Sequence, residues 1–257
     1  QTNRSKLGPY FAMHYNNFDE DMNRFLHAVV LDAEFRQSNV HSDDIAFFAP
    51  ALTTWHRNIQ LDGKAHGTID RLMAPELEVK SGNTAFKGKL SMRGLPDIDE
   101  TFIDATAQQL NTTYEDLSIY VPALTKIKEP KLNRLGNIRY KGSYTGFLND
   151  FVAFGTIQTN LGTVSADINM KLPEKQIPEY SGKLVTQGFQ IGTLLDDARL
   201  GSISLNGQVA GKGFNLKELD SHFNGYVSDV AYNGYRYKDI SLNGNFRKSI
   251  FTGHLQT

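Results

Sequence analysis

The chain has 257 residues with a formal net charge of −1, 40% hydrophobic and 11% aromatic residues, 22 glycines and no cysteine. That composition suits a folded, β-rich chain and excludes disorder, while the near-neutral charge argues against a nucleic-acid surface or an acidic tail. Without cysteine there are no disulfides, thiolate nucleophiles or Cys-ligated metals, and no run approaches the ~20 apolar residues of a membrane-spanning helix.

The first residues, QTNRSKLGPYF, show neither an initiator Met nor a signal-peptide pattern, and the last, FTGHLQT, follow a strand-like run. Both ends read as cut, so the expectation is an interior piece of a longer polypeptide. Residues 1–40 are expected to be a strand-rich flanking segment and 41–257 one continuous, degenerate β-repeat. FDEDMN (Phe18–Asn23) brushes a Ca²⁺-loop pattern, but Arg24 stands where that loop needs Gly; it reads as a turn or helix start. SDDIAFFAPAL (Ser42–Leu52) predicts a short helix with Ser42 as N-cap and Asp43 and Asp44 complementing the helix dipole.

From there a glycine-punctuated pattern recurs. NIQLDGKA (Asn58–Ala65), NIRYKGSY (Asn137–Tyr144), SISLNGQV (Ser202–Val209) and DISLNGNF (Asp239–Phe246) align on their glycines, with AFKGKLSM (Ala85–Met92) a looser relative. Each alternates apolar and polar residues, the period of a strand with one buried face. Their first residues after the leading polar one stand at 59, 138, 203 and 240, too irregular for a strict solenoid. A second repeat precedes them: DIAFFAPAL (Asp44–Leu52) and DLSIYVPAL (Asp116–Leu124) share Asp, an aromatic and PAL at equal offsets. The unit therefore reads as a short capping element followed by strands. VSADINMKL (Val164–Leu172), with FVAFGTIQTNLG before it, YSGKLVTQGF after it and GYVSDVAYNGYRYKDI nearer the end, reads as strands joined by Asn/Gly turns. KIKEPKL and KLPEKQIPEY read as loops. LKELDSHF (Leu216–Phe223) and part of ALTKIKEPKL complete the short list of predicted helices.

In each glycine strand the Gly is in phase with the apolar residues: Ile203, Leu205, Gly207 and Val209 share a face, as do Ile240, Leu242, Gly244 and Phe246. Glycine within a strand costs roughly 0.5–1 kcal/mol relative to Ala, so its recurrence implies a sharp bend or a body pressed close to the backbone. About twenty strands of ~5–8 residues fit in this length, and open sheets beyond ~10 strands curl, split or flatten. The fold expected is all-β with a few short helices: an elongated, curled repeat sheet forming a groove with a concave apolar face. Its predicted lining is Ile59, Leu61, Val164, Ile168, Met170, Ile203, Leu205, Val209, Ile240, Leu242 and Phe246, with groove glycines Gly63, Gly142, Gly207 and Gly244. A plain β-sandwich core would show the same alternation.

Catalytic patterns are missing. There is no GxSxG, Walker loop or dinucleotide fingerprint. The seven histidines are scattered, and Trp55-His56 with His66 lack metal-ligand spacing. The acids of GLPDIDETFID (Asp97, Asp99, Glu100, Asp104) read as a loop leading into a strand, and Tyr226, Tyr232, Tyr235 and Tyr237 as strand packing. The expectation is no enzyme, no cofactor, no metal and no nucleic-acid partner.

The stretch Phe189–Gly244 resembles the AsmA-like superfamily, and more narrowly its TamB-type translocation and assembly modules of Bacteroidetes-like bacteria. The resemblance is carried by Gly192-x-Leu194-Leu195, Leu200-Gly201 leading into a glycine strand, Gly211-x-Gly213-Phe214 before Leu216 and Leu219, and the tyrosines Tyr232, Tyr235 and Tyr237. Upstream, MRGLPDIDETFID (Met92–Asp104) with the following DLSIYVPAL is similar to an earlier segment of the family. The resemblance implies a β-taco in the periplasm of a Gram-negative bacterium, as part of an inner-membrane-anchored protein. Phospholipid acyl chains would move along its groove between inner and outer membranes, supporting outer-membrane biogenesis. It also implies an inner-membrane anchor and an Omp85-family barrel partner, both engaged by regions outside this chain. The alternatives are a structural scaffold assisting outer-membrane protein assembly without lipid transfer, and a glycan-binding β-protein with exposed aromatics, to which a single Trp lends little.

Overall fold

The computed structural model describes residues 3–46, 50–173, 176–214, 218–248 and 250–256. Among them lie fourteen strands: β1 (Pro9–His14), β2 (Val30–His41), β3 (Asn58–Thr68), β4 (Arg71–Ser81), β5 (Thr84–Arg93), β6 (Phe102–Thr113), β7 (Asn137–Phe147), β8 (Asp150–Thr159), β9 (Gly162–Lys171), β10 (Glu179–Phe189), β11 (Leu200–Lys212), β12 (Asp220–Tyr232), β13 (Tyr235–Arg247) and β14 (Ile250–Gln256). The helices are short: α1 (Phe18–Met22), α2 (Phe25–Ala28), α3 (Ser42–Ile45), α4 (Tyr114–Tyr120) and α5 (Ile191–Leu195). The strands follow one another in chain order in one open sheet, β1 to β14, antiparallel at each described pairing. An all-β fold is thus present. The strands are fewer than the sequence suggests because most are 10–13 residues long rather than about half that.

The chain divides into two compact units. The first comprises Gln1–Thr112 with Ser143–Leu148, the second Thr113–Gly142 with Asn149–Thr257. In the first unit, register places Phe35, Gly63, Leu77, Gly88 and Ala107 in one row across β2–β6, beside a row of Ser38, Leu61, Val79, Phe86 and Leu110. Its buried apolar residues include Val40, Ile59, Ala74, Leu77 and Ala107, all from the inward phase of strands two residues in period. In the second unit β8–β14 form a meander whose connections include tight turns such as Asn233-Gly234, where both residues have positive φ.

Helical inserts have a regular place in the chain: α3 precedes β3, α4 precedes β7 and α5 precedes β11. One insert and four strands therefore form the repeat, and NIQLDG, NIRYKG and SISLNG are the strands that open its three copies. DISLNG is β13, the third strand of the last copy, which explains why its spacing breaks the series. DIAFFAPAL and DLSIYVPAL contribute alike, each with a short α-helix and then a 3₁₀ turn starting at Pro50 or Pro122. Phe47, Phe48 and Ala49 of the first lie outside the described residues.

Three helix expectations need correction. Residues 215–217 of the LKELDSHF region lie outside the described residues, and Asp220–Phe223 open β12 rather than continue a helix. Buried Ser221 and Phe223 alternate with exposed Asp220 and His222, and β11 and β13 pair on either side; two flanking ladders outweigh a weak local helix preference. Ser42 is not the N-cap of α3. That position is His41, whose Nδ1 accepts from the Asp43 amide, while Ser42 is buried and its Oγ accepts from the Arg57 amide. The ALTKIKEPKL region forms 3₁₀ turns (Pro122–Lys126 and Leu132–Leu135) and no α-helix, its backbone interrupted at Pro130.

At the α5–β11 junction Arg199 folds back on Asp197, donating through Nε at 3.0 Å and Nη2 at 2.7 Å, and its backbone amide adds a third bond at 2.9 Å. The guanidinium bonds first, and the amide second, hold the Asp197 carboxyl at about 2, below its ordinary 3.8. A carboxyl lowered by folding stabilises the fold above its unfolded value, and that contribution is lost as pH falls toward the folded value. Arg199→Ala should return Asp197 toward 3.8 and flatten the acid loss of stability between 3.8 and about 2. A carboxyl-detected NMR titration alongside acid unfolding reads both; an unmoved Asp197 would refute the assignment.

Candidate functional site: the apolar face of the second unit

Register across β8–β14 turns the apolar phase of each strand into continuous rows. One runs Ile157, Val164, Thr186, Leu205, Val227, Ile240; the next runs Gly155, Ala166, Leu184, Gly207, Gly225, Leu242, Leu255. Beyond it lie Ala153, Ile168, Gly182, Val209, Phe223, Gly244, Gly253, and then Phe151, Met170, Tyr180, Gly211, Ser221, Phe246, Phe251. No charged side chain stands in any of these rows. Val164, Ile168, Met170, Ile203, Leu205, Val209, Ile240, Leu242 and Phe246, all expected to line one face, do share it; Ile59 and Leu61 hold the equivalent phase of β3 in the first unit.

Burial on this face is incomplete. Phe223, Val227 and Ile240 form its buried centre, against which Ile203, Leu205, Val209, Val230, Leu242 and Phe246 are only partly covered. Val164, Ile168 and Met170 are half-buried, alternating further along β9 with exposed Asp167, Asn169 and Lys171. At the edge, Leu255 is 55% exposed. Apolar side chains of these rows thus stay partly in contact with solvent.

The groove glycines have two different causes. Gly63 adopts φ +125°, where a Cβ would meet the Glu76 carbonyl oxygen of the neighbouring strand. At Gly207 and Gly244 a body does press on the backbone, and it is the protein's own: a Cβ on Gly207 would stand 2.5 Å from Phe223 Cζ and one on Gly244 2.5 Å from Phe251 Cε2. Gly142 is closer to Gly63 in cause, since its Cβ would first meet the Phe154 carbonyl oxygen of the neighbouring strand, with Tyr140 Oη further off at 2.7 Å. Gly207 faces Gly225 and Gly244 faces Gly253 across the ladder, so each ring lies over a pair of glycines. The covering ring sits two residues before a glycine of its own strand: Tyr140-x-Gly142, Phe223-x-Gly225, Phe251-x-Gly253, and likewise Phe86-x-Gly88. This aromatic-x-Gly signal is present in the sequence, but it lies on strands other than most of those that align on their glycines.

Residues weighed for other chemistry have local roles. His56 Nδ1 lies 2.9 Å from the Asp43 carboxylate, and His66 Nδ1 lies 4.0 Å from Asp32. Asp97 Oδ1 accepts from the Asp99 amide within a turn, Asp104 is in β6, and Asn17 caps α1 at FDEDMN. Tyr232 pairs with Tyr235 and Tyr237 with Val230 beside the apolar cluster; these tyrosines are exposed rather than packed, Tyr235 to 70%. Tyr226 is on the opposite face, bonded to Asp239.

If the ring seats are what select glycine, Gly207→Ala should destabilise the protein by about 1–3 kcal/mol through overpacking, although Ala is intrinsically the better strand residue. Phe223→Leu in the same chain should recover part of that loss, because the ring tip is the closest obstacle. Urea unfolding of the double-mutant cycle measures the coupling, and strict additivity would show that the ring is not the cause. Compared with known proteins, the chain finds no match among family models, curated proteins or solved structures.

Proposed function

We propose that the apolar face carries phospholipid acyl chains, and that the protein is a non-enzymatic lipid conduit of the AsmA/TamB-like kind in a Gram-negative periplasm. The observation that supports this most directly is the row structure: four adjacent apolar rows without a charge, left half-exposed across β8–β14. An acyl chain of about sixteen carbons loses on the order of 13 kcal/mol on entering water, at ~0.8 kcal/mol per CH₂. Only a continuous apolar lining removes that barrier, and binding by such a lining needs no directional contact. Attachment to the inner membrane and docking to an Omp85-family barrel would be the work of regions beyond residues 1–257.

A second reading, a scaffold without lipid, draws support from the same face. Phe223 and Phe251 already fill the glycine seats, and Phe223, Val227 and Ile240 are buried without any guest. The two readings separate on occupancy. Native mass spectrometry after detergent-free incubation with phosphatidylethanolamine–phosphatidylglycerol vesicles should find lipid on the wild-type chain. Leu205→Arg with Leu242→Arg should reduce it at least about tenfold, since a charge on this face costs far more than one CH₂ contact. Circular dichroism should stay unchanged, because both side chains are only partly covered. No lipid on the wild type, or equal loss with the outward Asn169→Arg, would leave the scaffold as the function.

A further inference from the structure

The opposite face of the second unit holds a different chemistry. There the ladder aligns Gln208, Asn224, Asn243 and His254 in one row, with Lys183 continuing it onto β10. The adjacent row is Asn206, Tyr226, Ser241 and Gln256. Together they line a shallow trough of about 580 Å³. Its side chains carry one cation and no carboxylate. Among the described residues, the amides of Asn206, Gln208, Asn224 and Asn243 have no side-chain hydrogen bond within the protein; hydrogen bonds on this face involve other side chains, such as Tyr226 with Asp239, His222 with Asn245 and Arg236 with Asp229.

We infer that this trough binds a linear, neutral oligosaccharide laid across β11–β14. Each amide presents two donors and an acceptor, the mixed set that sugar hydroxyls satisfy by donating and accepting at once. Successive amides recur at the strand spacing of ~4.8 Å, close to the length of one pyranose residue, so consecutive sugars meet equivalent groups. Tyr226, 42% exposed beside the row, offers an aromatic ring for the apolar face of a sugar. The same features disfavour other ligands. A metal ion finds no carboxylate, a polyanion finds a single lysine, and an acyl chain finds no apolar floor. An extended peptide recognises a sheet through main-chain bonds at an edge, whereas the amides of Asn206, Gln208, Asn224 and Asn243 stand on β11–β13, whose backbone is paired on both sides. The inference concerns the face opposite the apolar rows and stands whether or not lipid binds there.

The test is isothermal titration of the 257-residue chain with cellohexaose, maltohexaose and chitohexaose, each to millimolar concentration. At least one should bind. Asn224→Ala combined with Asn243→Ala should weaken that binding about tenfold or more, as expected for two lost neutral hydrogen bonds. Asn169→Ala, outside the trough, should leave it unchanged. Both positions of the double variant are exposed, and circular dichroism checks that the sheet is retained. Failure of all three hexasaccharides to bind, or wild-type affinity in the folded double variant, overturns the inference.

Discussion

Cross-strand register is the constraint on which both faces depend. With side chains alternating every residue, a slip of one position would exchange the apolar rows for the amide rows. The meander avoids this by keeping neighbours in chain order and by absorbing irregularities in bulges. Between β11 and β12, for example, pairing passes from Ser204–Asp229 to Leu205–Val227, so that Ser228 is taken out of the ladder. On the tip side of that bulge Val230 still packs against the cluster that Val227 helps to form. Phase is therefore preserved where strict spacing is not.

This also accounts for what could be read from the sequence. Alternation is a local property, and the in-phase placement of Val164, Ile168, Met170, Leu205 and Leu242 followed from it directly. The order of repetition was harder to read, because the same glycine strand serves two positions. In β3, β7 and β11 it opens a four-strand group, and in β13 it lies inside one. Helix boundaries failed where tertiary pairing competed with propensity. Asp220–Phe223 lies between two partners that a helix could not satisfy, and Ser42 spends its hydroxyl on Arg57 across the insert instead of on its own helix.

The glycines mark the limit of such reading. Their phase could be recognised, but whether a bend, a neighbouring backbone or a side chain excludes a Cβ is a question of distances between residues remote in the sequence. At Gly63 backbone conformation decides; at Gly207 and Gly244 a phenyl ring does. A ring lying along its own strand covers two backbones at once and restores apolar contact that a glycine pair would otherwise forfeit. It lowers the relief of the face while keeping it apolar.

A single open sheet has two surfaces and, among the described residues, little helix to cover either. Burying one surface would require a second layer, which the partial exposure of Leu205, Leu242 and Phe246 argues against. Leaving it bare in water would carry a cost that scales with area, so a half-exposed apolar face is best understood through what it meets. The reverse face has no such cost, and residues there are free to be chosen for recognition instead of stability. Since alternate residues of the same strands serve the two faces, one face can be altered by substitution with little effect on the other. The chemistry of the two faces is thus separable at the level of single side chains, although the faces share every backbone hydrogen bond between β10 and β14.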